Sequence, residues 1–250
     1  MKVVAEPLSL LLMKGMFVVV LLLSGSNSPS RAVDSGDAAG EITAIDILLE
    51  PNATMLAQSA ANNERLRKVF PDGFSLDATH TPHITMLQCF VRTADIDKVA
   101  AASSQVIRRA NVTAMKLEAF KYYYAPAGEV GVAGICARPT PAIVQLQADI
   151  VAAVKPFLVE TAGIGAFTAP HADAATDAGL IQYVATFAER QTGANFNPHV
   201  STGVAPTAYL DQMLAEPFAP FTFSPAGAAI YQLGPFGTAA RKLRQLDLLP

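Results

Sequence analysis

The tetrapeptides Pro82-His83-Ile84-Thr85 and Pro198-His199-Val200-Ser201 share one frame, Pro-His-apolar-hydroxyl. The chain of 250 residues has four histidines, and two of them occupy this frame. Each frame runs into β-prone sequence, Ile84-Thr85-Met86-Leu87 in one case and Val200-Ser201-Thr202-Gly203-Val204 in the other. Residues i and i+2 of a strand point to the same face. Each frame therefore sets an imidazole beside a hydroxyl and turns the apolar residue between them into packing. Two such strands facing each other would surround a small site with two proton carriers and two hydrogen-bond donors, a set suited to a phosphoryl group.

Outward from these motifs the chain alternates short strands and helices. Glu41 to Leu49 reads as a strand stopped by Pro51, and Asn52 or Thr54 caps a helix to about Val69. The first motif strand covers about 83–91, followed by a helix from Thr93 to about Arg109. Ala114 to Tyr124 and Glu129 to Ala137 form a hairpin across Pro126 and Gly128. A third helix runs from about Ala142 to Glu160, and a fourth from Asp177 to Thr192. The second motif strand comes next, and Thr207 caps a short helix to about 215. Strands near Phe221–Phe223, Ala228–Leu233 and Leu243–Leu248 finish the chain. Mixed helices and hairpins predict an α+β fold with largely antiparallel sheets, one motif strand in each half.

The paired motif resembles the two-histidine phosphoesterase superfamily, which includes bacterial 2′-5′ RNA ligase-like proteins and 2′,3′-cyclic nucleotide phosphodiesterases. The family signature is His-apolar-Thr/Ser-apolar, twice, about half a domain apart. His83-Ile84-Thr85-Met86 fits throughout. His199-Val200-Ser201-Thr202 fits at three positions, with Thr202 in place of the usual apolar residue. The resemblance covers residues 41–250. It implies two similar lobes, each a small, mostly antiparallel sheet backed by helices, with the active cleft between them. It implies metal-independent hydrolysis of a 2′,3′-cyclic phosphate or 2′-5′ phosphodiester, with no cofactor required. His83 and His199 would act as acid and base, in an order the sequence leaves open, and Thr85 and Ser201 would bind the phosphate. Many family members carry an aromatic five residues after the first motif histidine, where this chain has Gln88. Two other readings stay open. One is a nucleotide or phosphate-ester binding module without turnover. The other is a metal-dependent hydrolase adding His80 or His171, with Asp173 nearby, to the pair; zinc usually takes three or four protein ligands.

The N-terminus reads as a secretory signal, with an uncleaved membrane anchor as the alternative. Lys14 precedes the unbroken apolar run Phe17 to Leu23, and Ser24-Gly25-Ser26-Asn27-Ser28 follows it. Such a run is shorter than the roughly 20 residues that span a bilayer. Residues 1–32 are expected to be signal peptide and leader, with cleavage between about 25 and 40 and a flexible stretch over 33–40. The expected location is the periplasm or the exterior, with no membrane contact after cleavage. Removal of Lys2, Lys14, Arg31 and Glu6 takes the net charge from −3 to −5. A mildly acidic domain is poorly suited to gripping long nucleic acid, so the expected partner is a small nucleotide or a short RNA terminus. The sequence leaves the oligomeric state open.

The two cysteines, Cys89 and Cys136, lack zinc-like spacing. They could pair in an exported protein, or stay buried and free. A regular strand would turn Cys89 to the face of His83 and Thr85, where a thiol could act in the site. Tyr122, Tyr123 and Tyr124 offer rings for a base to stack on, or strand packing. Phe90, Phe196 and Phe236 are further cleft candidates, and Lys121, Arg92 and Arg241 could help hold phosphate.

Overall fold

Strand β1 (Ile42–Pro51) opens the structure, a computed structural model that describes residues 40–169 and 174–248. The expected signal segment, nearly all of the 33–40 leader, His171 and Asp173 lie outside the described residues. Asn52 follows β1 in an extended conformation, and its side chain accepts from the Met55 amide at the start of α1 (Ala53–Val69). Strand β2 (Ile84–Arg92) carries the first motif, and a single 3₁₀ turn joins it to α2 (Ile96–Ala110). Strands β3 (Leu117–Ala127) and β4 (Val130–Ala137) form the expected hairpin, with Gly128 at φ 67° supplying its turn. Thr140 caps α3 (Pro141–Val154).

Helix α3 ends earlier than the expected Glu160, because Pro156 cannot continue it. The next residues, Leu158–Val159, form a short strand β5 on the edge of β2. Helix α4 (Ala174–Arg190) leads to β6 (His199–Pro206), the second motif strand. Helix α5 (Thr207–Leu214) follows directly after Pro206, with no side-chain cap, so Thr207 is its first residue and not its cap. Strands β7 (Phe221–Phe223), β8 (Pro225–Leu233) and β9 (Ala239–Gln245) close the chain. The last strand lies upstream of the expected 243–248. Pairing of Leu233 with Ala239 starts the ladder just past Gly237, and Leu246 leaves it to bury itself in the core.

The architecture is α+β with two antiparallel sheets, in the orders β5-β2-β1-β8-β9 and β6-β4-β3-β7. Helices α2 and α3 cover one face of the first sheet. There Ile45, Ile47 and Leu49 of β1 join Val99, Ile107 and Ile150 in the largest apolar cluster. Helix α4 covers part of the opposite face through Leu180 and Val184, which pack with Ala44 and Phe90. Helices α1 and α5 back the second sheet through Leu66, Leu210 and Met213. The lobes are not simple chain halves: β8 and β9 return to pair with β1.

Both motif strands carry a bulge at the same motif position. Along β2 the register passes from Leu87 opposite Ile47 to Thr85 opposite Leu48, skipping Met86. Along β6 it passes from Gly203 opposite Ala133 to Ser201 opposite Gly134, skipping Thr202. In each case the extra residue is the fourth of the motif. An inserted residue reverses the inside–outside alternation beyond it. On β2 this turns Gln88, not Cys89, toward the side that Thr85 faces. Cys89 joins the core instead, and both cysteines are buried and free. The expectation that a regular strand would bring Cys89 beside His83 is corrected by this bulge.

Candidate active site

The proline in each frame has a structural consequence for the histidine after it. A residue that precedes proline is biased toward extended backbone. Here it directs its carbonyl back at the imidazole. His83 Nδ1 lies 2.6 Å from the Thr81 carbonyl oxygen, and His199 Nδ1 lies 2.7 Å from that of Asn197. A carbonyl only accepts, so each Nδ1 carries the proton that it donates. This fixes both rings and leaves Nε2 as the nitrogen that can meet a partner other than the backbone.

His83, Thr85, His199 and Ser201 line one cleft between the sheets, a cavity of about 670 Å³. The four residues singled out by the motif are therefore brought together. Their environments differ. His83 Nε2 stands 3.3 Å from Oδ2 of Asp46, a carboxylate with no exposed surface. The same oxygen accepts from Thr85 Oγ1 at 2.8 Å and from Gln88 Nε2 at 3.1 Å. Asp46 and Gln88 are Cα partners across β1 and β2, so the register sets this contact. Gln88 Nε2 also donates to the Gly237 carbonyl at 3.1 Å, tying the β8–β9 connection to the acid.

The electrostatics split the histidine pair. Burial pulls the His83 pKa down, but the hydrogen bond and charge of Asp46, with the Thr81 carbonyl, outweigh it and hold the group above the ordinary histidine value. Burial also lowers His199, and the charge on His83 adds to this; the Asn197 carbonyl and Asp46 oppose it without reversing it. The arrangement thus favours the protonated form more at His83 than at His199.

Thr85 and Ser201 also differ. Thr85 gives its proton to Asp46, whereas the Ser201 hydroxyl makes no hydrogen bond to the other described residues. Thr202, which stands where the motif signature has an apolar residue, faces away from the cleft. Its Oγ1 accepts from Asn62 Nδ2 of α1 at 2.7 Å, and its carbonyl accepts from Asn63 Nδ2 at 2.9 Å. A hydroxyl at that position is satisfied by the neighbouring helix and takes no part in the site.

The remaining candidates separate cleanly. Tyr123 sits in the cleft with its ring 4.9 Å from that of His199. Tyr122 packs on Phe218, and the Tyr124 hydroxyl donates to Asp211. Phe196 and Phe236 line the cleft, while Phe90 is core. Arg241 donates to Gln232, Lys121 lies over the Phe120 ring, and Arg92 is exposed at the end of β2. None of the three lines the cleft. His80 stacks on Phe74 and contacts Thr79 and Asp77. Among the described residues, no three of His, Cys, Asp and Glu are grouped so as to hold a metal ion.

Asp46 is the site residue that motif reading missed. A signal was present: it is the single acid in Ala44-Ile45-Asp46-Ile47-Leu48-Leu49. A carboxylate in so apolar a strand needs a partner for its charge.

No protein-family profile and no curated protein matches the chain. Among solved structures it is similar to TT0787 of Thermus thermophilus, at 16% identity and a TM-score of 0.49, covering 82% of this chain and 98% of that one. It is also similar to Escherichia coli LigT in apo form, at 10% identity and a TM-score of 0.37, covering 84% of this chain and 100% of that one. Both likenesses are too distant to carry a function across.

Proposed function

We propose that this protein is a metal-independent phosphoesterase of the two-histidine type, opening 2′,3′-cyclic phosphates or cleaving 2′-5′ phosphodiesters. The observation that carries the reading is the unequal pair: two imidazoles line one cleft, each fixed through Nδ1 by a backbone carbonyl, and His83 stands against the buried Asp46 carboxylate, which favours its protonated form. General acid–base catalysis of hydrolysis needs that division.

The steps follow from it. His199 Nε2 takes a proton from water as the water oxygen bonds to phosphorus. The bond from phosphorus to the sugar oxygen breaks, and His83 Nε2–H gives that oxygen its proton. A monoester and a free sugar hydroxyl result, and solvent returns the histidines to their starting states. Ser201 donates to a non-bridging oxygen as charge builds there. Thr85 can do the same only by giving up Asp46 for the phosphate. His83 is thus assigned as acid and His199 as base. We further infer export, from Lys14 and the run Phe17 to Leu23; mass spectrometry from the native host should then find an N-terminus between about 25 and 40.

The test is an assay of the purified domain, with chelator present, against 2′,3′-cyclic nucleotides and 2′-5′-linked dinucleotides. Turnover that His83→Ala and His199→Ala both abolish is expected. Tight binding without turnover would replace the enzyme with a binding module, and turnover lost on chelation would point to a metal.

A further inference from the structure

The cleft walls make an unusual phosphate site. The sequence contains 18 Lys and Arg, yet no described lining residue is one of them. His83, when protonated, stands beside Asp46, which offsets its charge. Much of the rest is apolar: Phe74, Tyr123, Tyr183, Phe187, Phe196 and Phe236 all contribute. Charge therefore gives the site little grip on a phosphate, and ring surface gives it a large grip on an organic group.

Phe236 has the most telling position of these residues. It lines the cleft while 58% exposed, so its ring stands at the mouth. Its backbone is left-handed, at φ 59° and ψ 17°, a conformation that bulky residues rarely adopt. Such backbone persists where the surroundings impose it, often at ligand clamps. Here the next residue, Gly237, is held through its carbonyl by Gln88, whose amide also holds Asp46. One side chain thus fixes both the acid's partner and the loop that presents the ring.

We propose that the cleft selects a monoanionic phosphodiester by its ring rather than by its phosphate, with Phe236 as the outer stacking shelf, and that it disfavours dianionic phosphates. The inference rests on the phosphoesterase reading and names its substrate class: a diester bearing a flat aromatic group such as a nucleobase. A diester carries one negative charge. The monoester product carries about −1.5 to −2 at neutral pH. With no Lys or Arg among the described lining residues to compensate the added charge, the product should leave readily, because an uncompensated charge in an apolar cleft is costly.

The test compares three compounds in steady-state kinetics: 2′,3′-cyclic AMP, the ring-less diester glycerol 1,2-cyclic phosphate, and the monoester product as inhibitor. Wild type should show a much lower KM for the cyclic nucleotide than for the ring-less diester. The product's inhibition constant should exceed the nucleotide's KM. Base–aromatic stacking sets the size of the next effect: Phe236→Ala should raise the KM for cyclic AMP roughly 5- to 150-fold, with kcat little affected. Phe236→Tyr should restore it. If Phe236→Ala left the nucleotide KM where it was, or if the monoester bound more tightly than the diester, the inference would be overturned while the phosphoesterase reading stood. If neither diester were turned over, the phosphoesterase reading would fail and take this inference with it.

Discussion

Asp46 Oδ2 and His83 Nε2 lie 3.3 Å apart on adjacent antiparallel strands, the histidine lining the cleft and the acid buried. The carboxylate is fully buried, and its other oxygen, Oδ1, has no hydrogen-bond partner among the described residues. A buried carboxylate needs partners for its charge. Oδ2 faces three such partners, His83, Thr85 and Gln88, and under the proposed mechanism it favours a proton on the histidine that gives one up.

That relationship predicts a particular pH profile. His199 must be neutral, so activity rises as pH climbs through its lowered pKa. His83 must be protonated, so activity falls as pH climbs through its raised pKa. The rate should therefore be bell-shaped, with limbs on either side of about 6.5. Other titratable groups near the pair are Tyr123, Tyr183 and Cys89, all with raised pKa values. Asp46→Asn removes the carboxylate charge and should move the alkaline limb toward lower pH, costing more activity at pH 8 than at pH 6. A profile of kcat/KM from pH 5 to 9 superimposable on wild type would remove Asp46 from the mechanism.

Loss of either imidazole should be far more severe. His83→Ala and His199→Ala should each lower turnover roughly 10²–10⁴-fold, the usual range for general acid–base catalysis. His80 stacks on Phe74 and does not itself line the cleft, so His80→Ala should stay near wild type. Single-turnover rates on a cyclic nucleotide, with folding checked by circular dichroism, make the comparison.

The two motif hydroxyls should not be equivalent. Ser201→Ala removes a donor with no competing partner among the described residues. A hydrogen bond to a charged group contributes about 1.5–3 kcal/mol, which corresponds to roughly a 10- to 150-fold fall in kcat/KM. Thr85→Ala instead removes one donor from Asp46. It should act mainly through His83, shifting the alkaline limb while costing less at the optimum. Equal losses and unshifted limbs in both variants would mean that Thr85 serves the phosphate as Ser201 does.

The motif itself was fully legible, because strand alternation places residues i and i+2 together without further information. The fold class was legible for the same reason, since Pro, Gly and apolar runs mark most element ends. Three features were not. The bulges at Met86 and Thr202 leave no local signature, yet they decide that Gln88 reaches the cleft and Cys89 does not. Strand β5 is two residues long and exists only because β2 offers it an edge. The return of β8 and β9 to β1 is a long-range pairing, set by which apolar faces remain uncovered. Asp46 was visible as an anomaly, but its partner was not, because the pairing of β1 with β2 had first to be known.

The bulge at Met86 has a chemical consequence for Cys89. Burial, helped by the nearby Asp46 charge, pushes its thiol pKa well above the ordinary value. Thiolate is the reactive form. Native protein should therefore leave Cys89 unlabelled by iodoacetamide at pH 8, and denatured protein should label fully. Rapid labelling of native Cys89, read by peptide mass spectrometry, would contradict the bulged register.

Thr202 gives a prediction in the opposite direction from the family pattern. An apolar residue there would match the signature more closely, but in this chain Thr202 is fully buried and its hydroxyl accepts from Asn62 and donates to the Ala133 carbonyl. Thr202→Val has nearly the same shape and leaves the Asn62 amide without this acceptor. A buried polar group left unpaired costs about 1–3 kcal/mol. For a domain of this size that lowers the melting temperature by roughly 2–12 °C. His199 and Ser201 point the other way along β6, so KM and kcat at 25 °C should hold near wild type. Asn62→Leu in the same background removes the stranded amide, and the double variant should recover much of the loss, because replacing both partners of a buried bond is nearly neutral when shape is kept. Thermal melts of wild type, both single variants and the double variant close the cycle. Strictly additive losses would show that Asn62 and Thr202 are not coupled, and a Thr202→Val enzyme that melts like wild type but loses activity would move Thr202 from the packing of α1 into the site.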